Sequence, residues 1–267
     1  VITPLERLLR RDRWIVGAGL LVVAGLAWWW LLRGAGMGMT AVEMTRHSLM
    51  NMPATGPATW DRAYTLMMFS MWWIMMVAMM LPSATPVVLL AAALNRRSRA
   101  PEPPFGPTPA FVAGYLLAWG AFSVVAIALQ WGFDRVGWIN SMGVSVQPVL
   151  SGVLLLAAGA WQFTPWKQAC LNHCRSPVDF LVAHQGSGVG AALRTGMLHG
   201  AWCLGCCWFL MLLLFVGGVM NLYWIIGLAV YVWLEKVTPI GARLSRWLGV
   251  GLMLWGGALL LGIATSH

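Results

Sequence analysis

The chain has 267 residues, of which 60% are apolar and only 9% charged, with 17 Lys and Arg against 8 Asp and Glu. A soluble domain carries about 25% charged residues, so this chain lacks the polar surface of a water-soluble body, and intrinsic disorder is excluded more firmly still. The net charge of +9 does not point to nucleic acid, because the basic residues sit between apolar runs, which is how a polytopic membrane protein distributes charge.

Seven apolar runs are long enough, at about 20 residues each, to be read as membrane-crossing helices. The first covers about residues 14–32. It is too long for a signal-peptide core and no small-residue cleavage site follows Leu32, so it reads as an anchor. The polar stretch 34–62 then holds Met37, Met39, Met44, His47, Met50 and Met52. Exposed methionine in a loop gains nothing from burial, and thioether with imidazole suits copper rather than Mg or Ca. Lipid headgroups would bury the same methionines without any metal, and both readings stand.

The second span, about 64–94, contains MMFSMWWIMMVAMM. With Met67 at 0° on a helix, Met68, Met71, Met75 and Met79 fall at roughly 100, 40, 80 and 120°. These thioethers share one third of the helix surface, while Met76 and Met80 point elsewhere. Such a stripe serves as flexible core filler as readily as a ligand ladder. Met68, Met71, Met75 and Met79, with Met37, Met39, Met44 and His47, are the candidate pathway residues. Pro82 and Pro86 are predicted to kink or end the span. The Pro-rich stretch 101–109 is an extended connector, and spans three and four cover about 109–131 and 148–165.

All five cysteines lie between residues 170 and 207. Cys170, His173 and Cys174 stand in CLNHC after span four. Span five, about 196–219, opens with His199, Cys203, Cys206 and Cys207. On a helix these fall at roughly 0, 40, 340 and 80°, within one arc. If CLNHC is helical too, Cys170 and Cys174 share a face with His173 beside them. Thiolates with imidazole are a ligand set for Cu(I), zinc or an iron–sulfur centre. A single Cys in a membrane helix is commonly a small packing residue; five together with His173, His184 and His199 are poorly explained that way.

Span six, about 222–237, follows in a tight hairpin and ends on Glu235 and Lys236; span seven covers about 244–264. Charges at membrane depth are costly, although near a helix end they snorkel, and adjacent residues do not face each other. Glu235 is therefore read as a positional anchor, with a counter-charge for a cation or a proton acceptor as its functional alternatives. Trp14, Trp28 to Trp30, Trp60, Trp131, Trp138, Trp166 and Trp247 fall near predicted helix ends, as an interfacial belt would. Gly152, Gly159, Gly217 and Gly218 suit close helix packing. No phosphate-binding glycine loop, H-E-x-x-H or G-x-S-x-G is present, so nothing resembles a catalytic constellation. With the N-terminus inside, the inner segments hold 13 basic residues and the outer ones 4. That split predicts an outer C-terminus and places the cysteines on the cytoplasmic side, where thiols stay reduced and structural disulfides are not expected.

The Met-rich span ending in AMMLPSATP, then CLNHCRSP, HGAWCLGCCWFLMLLLFVGGVMNLYW and EKVTP, resemble a bacterial family of predicted metal-binding integral membrane proteins, a domain of unknown function with some members labelled copper chaperones. The resemblance covers about Met67 to Pro239. It implies metal binding and carries over Cys170, His173, Cys174, His199, Cys203, Cys206, Cys207, Glu235 and Lys236 as candidate functional positions, the cysteines and histidines among them as the metal set. Met37 to Met52 lie outside it.

The expectation is a single integral membrane domain over residues 1–267, an all-α bundle of about seven spans in a bacterial inner membrane. It would handle copper(I) as a transporter or membrane-bound chaperone, with thioether-to-thiolate affinity favouring inward movement. Zinc and an iron–sulfur centre are the other metals that the ligands allow. Expected partners are lipid and a soluble metal acceptor or a larger membrane enzyme, not nucleic acid. The competing readings are a thiol redox enzyme working with quinone, an assembly subunit, and a haem protein using His184 and His199, the last without an attachment motif.

Overall fold

A computed structural model describes residues 4–49, 59–97, 105–140 and 142–262. Met50, Met52, Arg99 and residues 101–104 of the Pro-rich connector lie outside them. The described residues form eleven helices and no strand. Four stretches are long and apolar enough to cross a membrane: Trp14–Leu32, Arg62–Asn95, Thr108–Arg135 and Gly188–Gly217. They belong to α1 (Pro4–Leu32), α3 (Arg62–Arg97), α4 (Thr108–Arg135) and α8 (Gly188–Leu212) with the short α9 (Leu214–Gly217). A fifth is made only by α5 (Pro148–Trp161) and α6 (Pro165–Arg175) together, bent by 64°. The last two expected spans fall outside this set. Helix α10 (Leu222–Val237) has only 16 residues, and α11 (Gly241–Leu260) is diluted by Arg243, Arg246 and several glycines.

The stretch after α1 is not a plain loop. It contains α2 (Ala41–Leu49), whose start is a reciprocal cap: the Glu43 carboxylate accepts from Thr40 N–H at 2.8 Å, and Thr40 Oγ1 accepts from Glu43 N–H at 3.3 Å. These bonds hold the Glu43 carboxyl below its ordinary pKa. Thr45 Oγ1 accepts from Leu222 N–H at 2.9 Å, which ties α2 to the start of α10.

Helix α3 does not end at Pro82 or Pro86 but runs through both. Pro82 has no N–H for the carbonyl of Ala78, four residues earlier. Trp28 Nε1 of α1 donates to that carbonyl instead, at 3.1 Å. Trp28 thus bridges α1 and α3, and Trp60, just before α3, donates to Asp134 Oδ2 of α4 at 2.7 Å. Trp14, Trp166 and Trp247 are exposed, in keeping with a belt.

Small residues let the helix backbones approach. A Cβ at Gly114 of α4 would lie 2.1 Å from the Leu193 carbonyl oxygen, and one at Gly196 of α8 would lie 2.0 Å from that of Phe111. Gly152 and Gly159 of α5 meet Gly256 and Gly249 of α11 in the same way. Gly217 leaves room for the Trp224 ring, and Gly218, at φ +99°, makes the turn into α10. The bend between α5 and α6 is written in TP: Thr164 caps α6 by accepting from Lys167 N–H at 3.2 Å, and Pro165 occupies its first turn. CLNHC is therefore helical. The short α7 (Pro177–Ala183) links α6 to α8.

Candidate metal centre

Helix α8 sets the geometry. Cys203, Cys206 and Cys207 are fully buried on it, and Cys174 of α6 neighbours the Cys203 and Cys206 thiols. The Cys206 and Cys207 thiols donate back to the Cys203 carbonyl at 3.0 and 3.1 Å, as thiols in a helix do when no stronger acceptor is near. Cys203 Sγ is the hub. It accepts from Lys236 Nζ at 2.8 Å and lies 3.2 Å from the Tyr115 hydroxyl. Lys236 also donates to Ser83 Oγ at 3.1 Å, and Tyr115 to the Met80 carbonyl at 3.1 Å. Four helices thus converge on one sulfur.

The other expected ligands are dispersed. Cys170 is half-buried, its Sγ packed so closely on Gly205 that a Cβ there would lie 2.5 Å away. The His173 ring stacks on Trp202 at 4.1 Å, and its Nδ1 faces the Ala169 carbonyl. His184 stacks on Phe180. His199 is buried among Phe111, Tyr115 and Phe180, with Nδ1 lacking a hydrogen-bond partner. Among the described residues, no three His, Cys, Asp or Glu side chains converge as a ready metal site. The seven expected ligands are not assembled in one place.

Glu235 and Lys236 do not snorkel. Both are buried, and as neighbours on α10 they face different helices. Glu235 pairs with Lys167 of α6 at 2.6 Å, with neither side chain exposed. Its Oε1 also accepts from Ser245 of α11 and from the Tyr231 hydroxyl, while Oε2 has no partner. The cation that Glu235 faces is thus Lys167 of α6. This leaves the Lys236 charge free to face the thiols.

Met68, Met71, Met75 and Met79 are all buried within the bundle. Met68 and Met71, nearer the start of α3, line a cavity of about 30 Å³ with Met37, Met44, Met142, Met220, Tyr64, Gln130 and Val219. Met44 was read as exposed and is buried; Met39 and His47 do not line the cavity. Met142 and Met220 escaped sequence reading because each stands alone on a turn, where no periodicity marks it. The turn holding Met142 is built by Asn140 Oδ1, which accepts from Met142 N–H and Val144 N–H, both at 3.0 Å.

Residues 69–259 match the PpoB2 family, described as copper chaperones. The chain belongs to the copper chaperone family. The match takes in the thiols, Lys236 and Glu235, and begins just after Met68. No curated protein and no solved structure matches the chain. Soft sulfur donors are what monovalent copper selects.

Proposed function

We propose that this chain is a bacterial inner-membrane protein that binds Cu(I) at the thiols of Cys203, Cys206, Cys207 and Cys174 and passes it on, as a membrane-bound chaperone or a transporter. The observation that carries this reading is the Lys236 ammonium 2.8 Å from Cys203 Sγ, in a family of copper chaperones. A Cu(I) ion held by two thiolates carries a net charge of −1, which is costly in an apolar bundle unless it is offset. Lys236 supplies that offset. The Cys206 and Cys207 thiols, turned onto the Cys203 carbonyl, would have to rotate to reach the ion. Cys170 and His199 are the next donors outward, one turn from Cys174 and Cys203 respectively.

The orientation that suits this reading has the N-terminus inside, following the 13 to 4 division of basic residues. In it α10 and α11 complete seven spans despite the shortness of α10, since both pack within the bundle. Buried Met75 and Met79 then line the way to the thiols, and affinity rises from thioether to thiolate. A soluble acceptor or a larger membrane enzyme receives the ion.

Metal analysis of purified full-length protein by mass spectrometry tests the site. Copper is expected in the parent protein, and at least a tenfold lower occupancy in Cys203→Ser and Cys206→Ser. Unchanged copper in both variants would overturn the thiol site.

A further inference from the structure

The cavity at the far end of α3 has a composition that packing alone does not account for. Six of its nine lining residues are methionine, in a chain with 17 methionines among 267 residues. They arrive from separate segments: Met37 after α1, Met44 on α2, Met68 and Met71 on α3, Met142 after α4 and Met220 before α10. Methionine is the side chain best able to collapse into a gap, yet a space the size of one small occupant persists between them.

Water is a poor occupant. A buried water needs two to four polar partners, and among the described residues the only polar side chains of this lining are Gln130 and Tyr64, of which Gln130 is already committed. Gln130 Oε1 accepts from Trp72 Nε1 at 2.7 Å, and Gln130 Nε2 is directed at Met68 Sδ at 3.8 Å. What the cavity chiefly offers is sulfur lone pairs from neutral thioethers. Those bind soft monovalent cations and reject Mg, Ca and other hard ions.

We infer that this cavity is a second, thioether-only Cu(I) site, separate from the thiols, at which the ion is bound before or after it visits them. The inference takes its choice of metal from the copper reading above, but the residues are different and they fail independently. Two helices join the sites in register. On α3, Met68 and Ser83 are about 22 Å apart along the axis, and on α10, Leu222, two residues after Met220, and Lys236 are about 21 Å apart, at 1.5 Å per residue. Ser83 and Lys236 touch at 3.1 Å at the thiol end, and Met68 and Met220 share the cavity at the other. Met71, Met75 and Met79 follow one another on α3 at single-turn spacing between them. Neutral donors leave the ion its full positive charge, so the thioether site binds it more weakly than thiolates do. Exchange from a weak neutral site to an anionic one needs no further driving force. Met37, Met44 and Met68 precede residues 69–259, so this site belongs partly to the chain's own N-terminal segment.

Selenomethionine-labelled full-length protein loaded with two equivalents of Cu(I) tests the site by X-ray absorption at the selenium edge, where cysteine ligands are invisible. A copper neighbour of selenium is expected in the parent protein and in the Cys203→Ser/Cys206→Ser double variant. It should fall at least threefold in Met68→Leu/Met220→Leu and in Met37→Leu/Met142→Leu. The second pair sits on connecting segments, so its loss of signal is not a loss of fold. Met75→Leu/Met79→Leu should keep most of the signal. Absence of copper at selenium in the parent protein, or a signal unmoved by both cavity pairs, would overturn the site. If the thioether signal stands while the cysteine variants retain all their copper, the thiol reading fails and this one does not.

Discussion

Lys167 and Glu235 are the most exacting pair of residues in the bundle. Neither side chain has any exposure and their charged atoms are 2.6 Å apart. A buried ion pair of this kind gains little over a well-packed apolar pair, but removing one partner strands a charge at a cost of about 3–5 kcal/mol. Glu235→Gln keeps the shape and its hydrogen bonds to Ser245 and Tyr231 while leaving Lys167 uncompensated. It should therefore lower the thermal unfolding midpoint sharply, whereas Lys167→Met/Glu235→Leu should recover most of the loss. Unfolding followed by tryptophan fluorescence in detergent would show both. Equal damage from the single and the double replacement would mean that the pair matters by its packing, not its charge. Lys236 should respond differently: Lys236→Met removes the cation beside Cys203 and is expected to reduce copper occupancy more than stability.

At the level of elements, α3 joins the two sulfur-rich regions, and its continuity depends on α1. Local propensity predicts that Pro82 kinks or ends the span. What overrides it is a tertiary hydrogen bond from Trp28 to the carbonyl that Pro82 leaves unpaired, and no local pattern reveals such a partner. Trp28→Phe leaves that carbonyl unsatisfied, at a cost of about 1–3 kcal/mol. In a Pro82→Ala background the new N–H restores the helical bond, so the same Trp28→Phe change should cost far less. A double-mutant cycle should give a coupling of about 1 kcal/mol or more, and additive costs would dismiss the bridge. The same contrast governs legibility elsewhere. The helical arc of Cys203, Cys206 and Cys207 and the stripe of Met68, Met71, Met75 and Met79 follow from 3.6-residue periodicity, and the structure buries both. The Thr40–Glu43 cap was legible as T-x-x-E, though the stretch was read as loop. Met142 and Met220, the pairing of Glu235 with Lys167, and the departure of His173 from the cysteines depend on which helices meet, which spacing along one helix does not encode.

For the whole molecule, the consequence of this architecture is a polarity: thioethers at the α2 end, thiols with a lysine near the α6 end. On the proposed function, which way copper would move depends on which end faces the cytoplasm. The basic residues favour an inner α6 end, and the bilayer orientation is open to direct measurement. Val42 on α2 and Trp166 on α6 are both exposed, so Val42→Cys and Trp166→Cys offer accessible thiols at the two ends, against a background in which Cys203, Cys206 and Cys207 are buried. A membrane-impermeant maleimide applied to intact spheroplasts should label Val42→Cys well above the parent protein, and Trp166→Cys only after lysis. That result would set the weak thioether site on the side where copper is met and the thiols on the side where it is kept, so that affinity alone favours inward transfer. Labelling in the opposite order would invert the bundle. The same gradient would then draw copper out of the cytoplasm, and the acceptor would have to be sought on the other face.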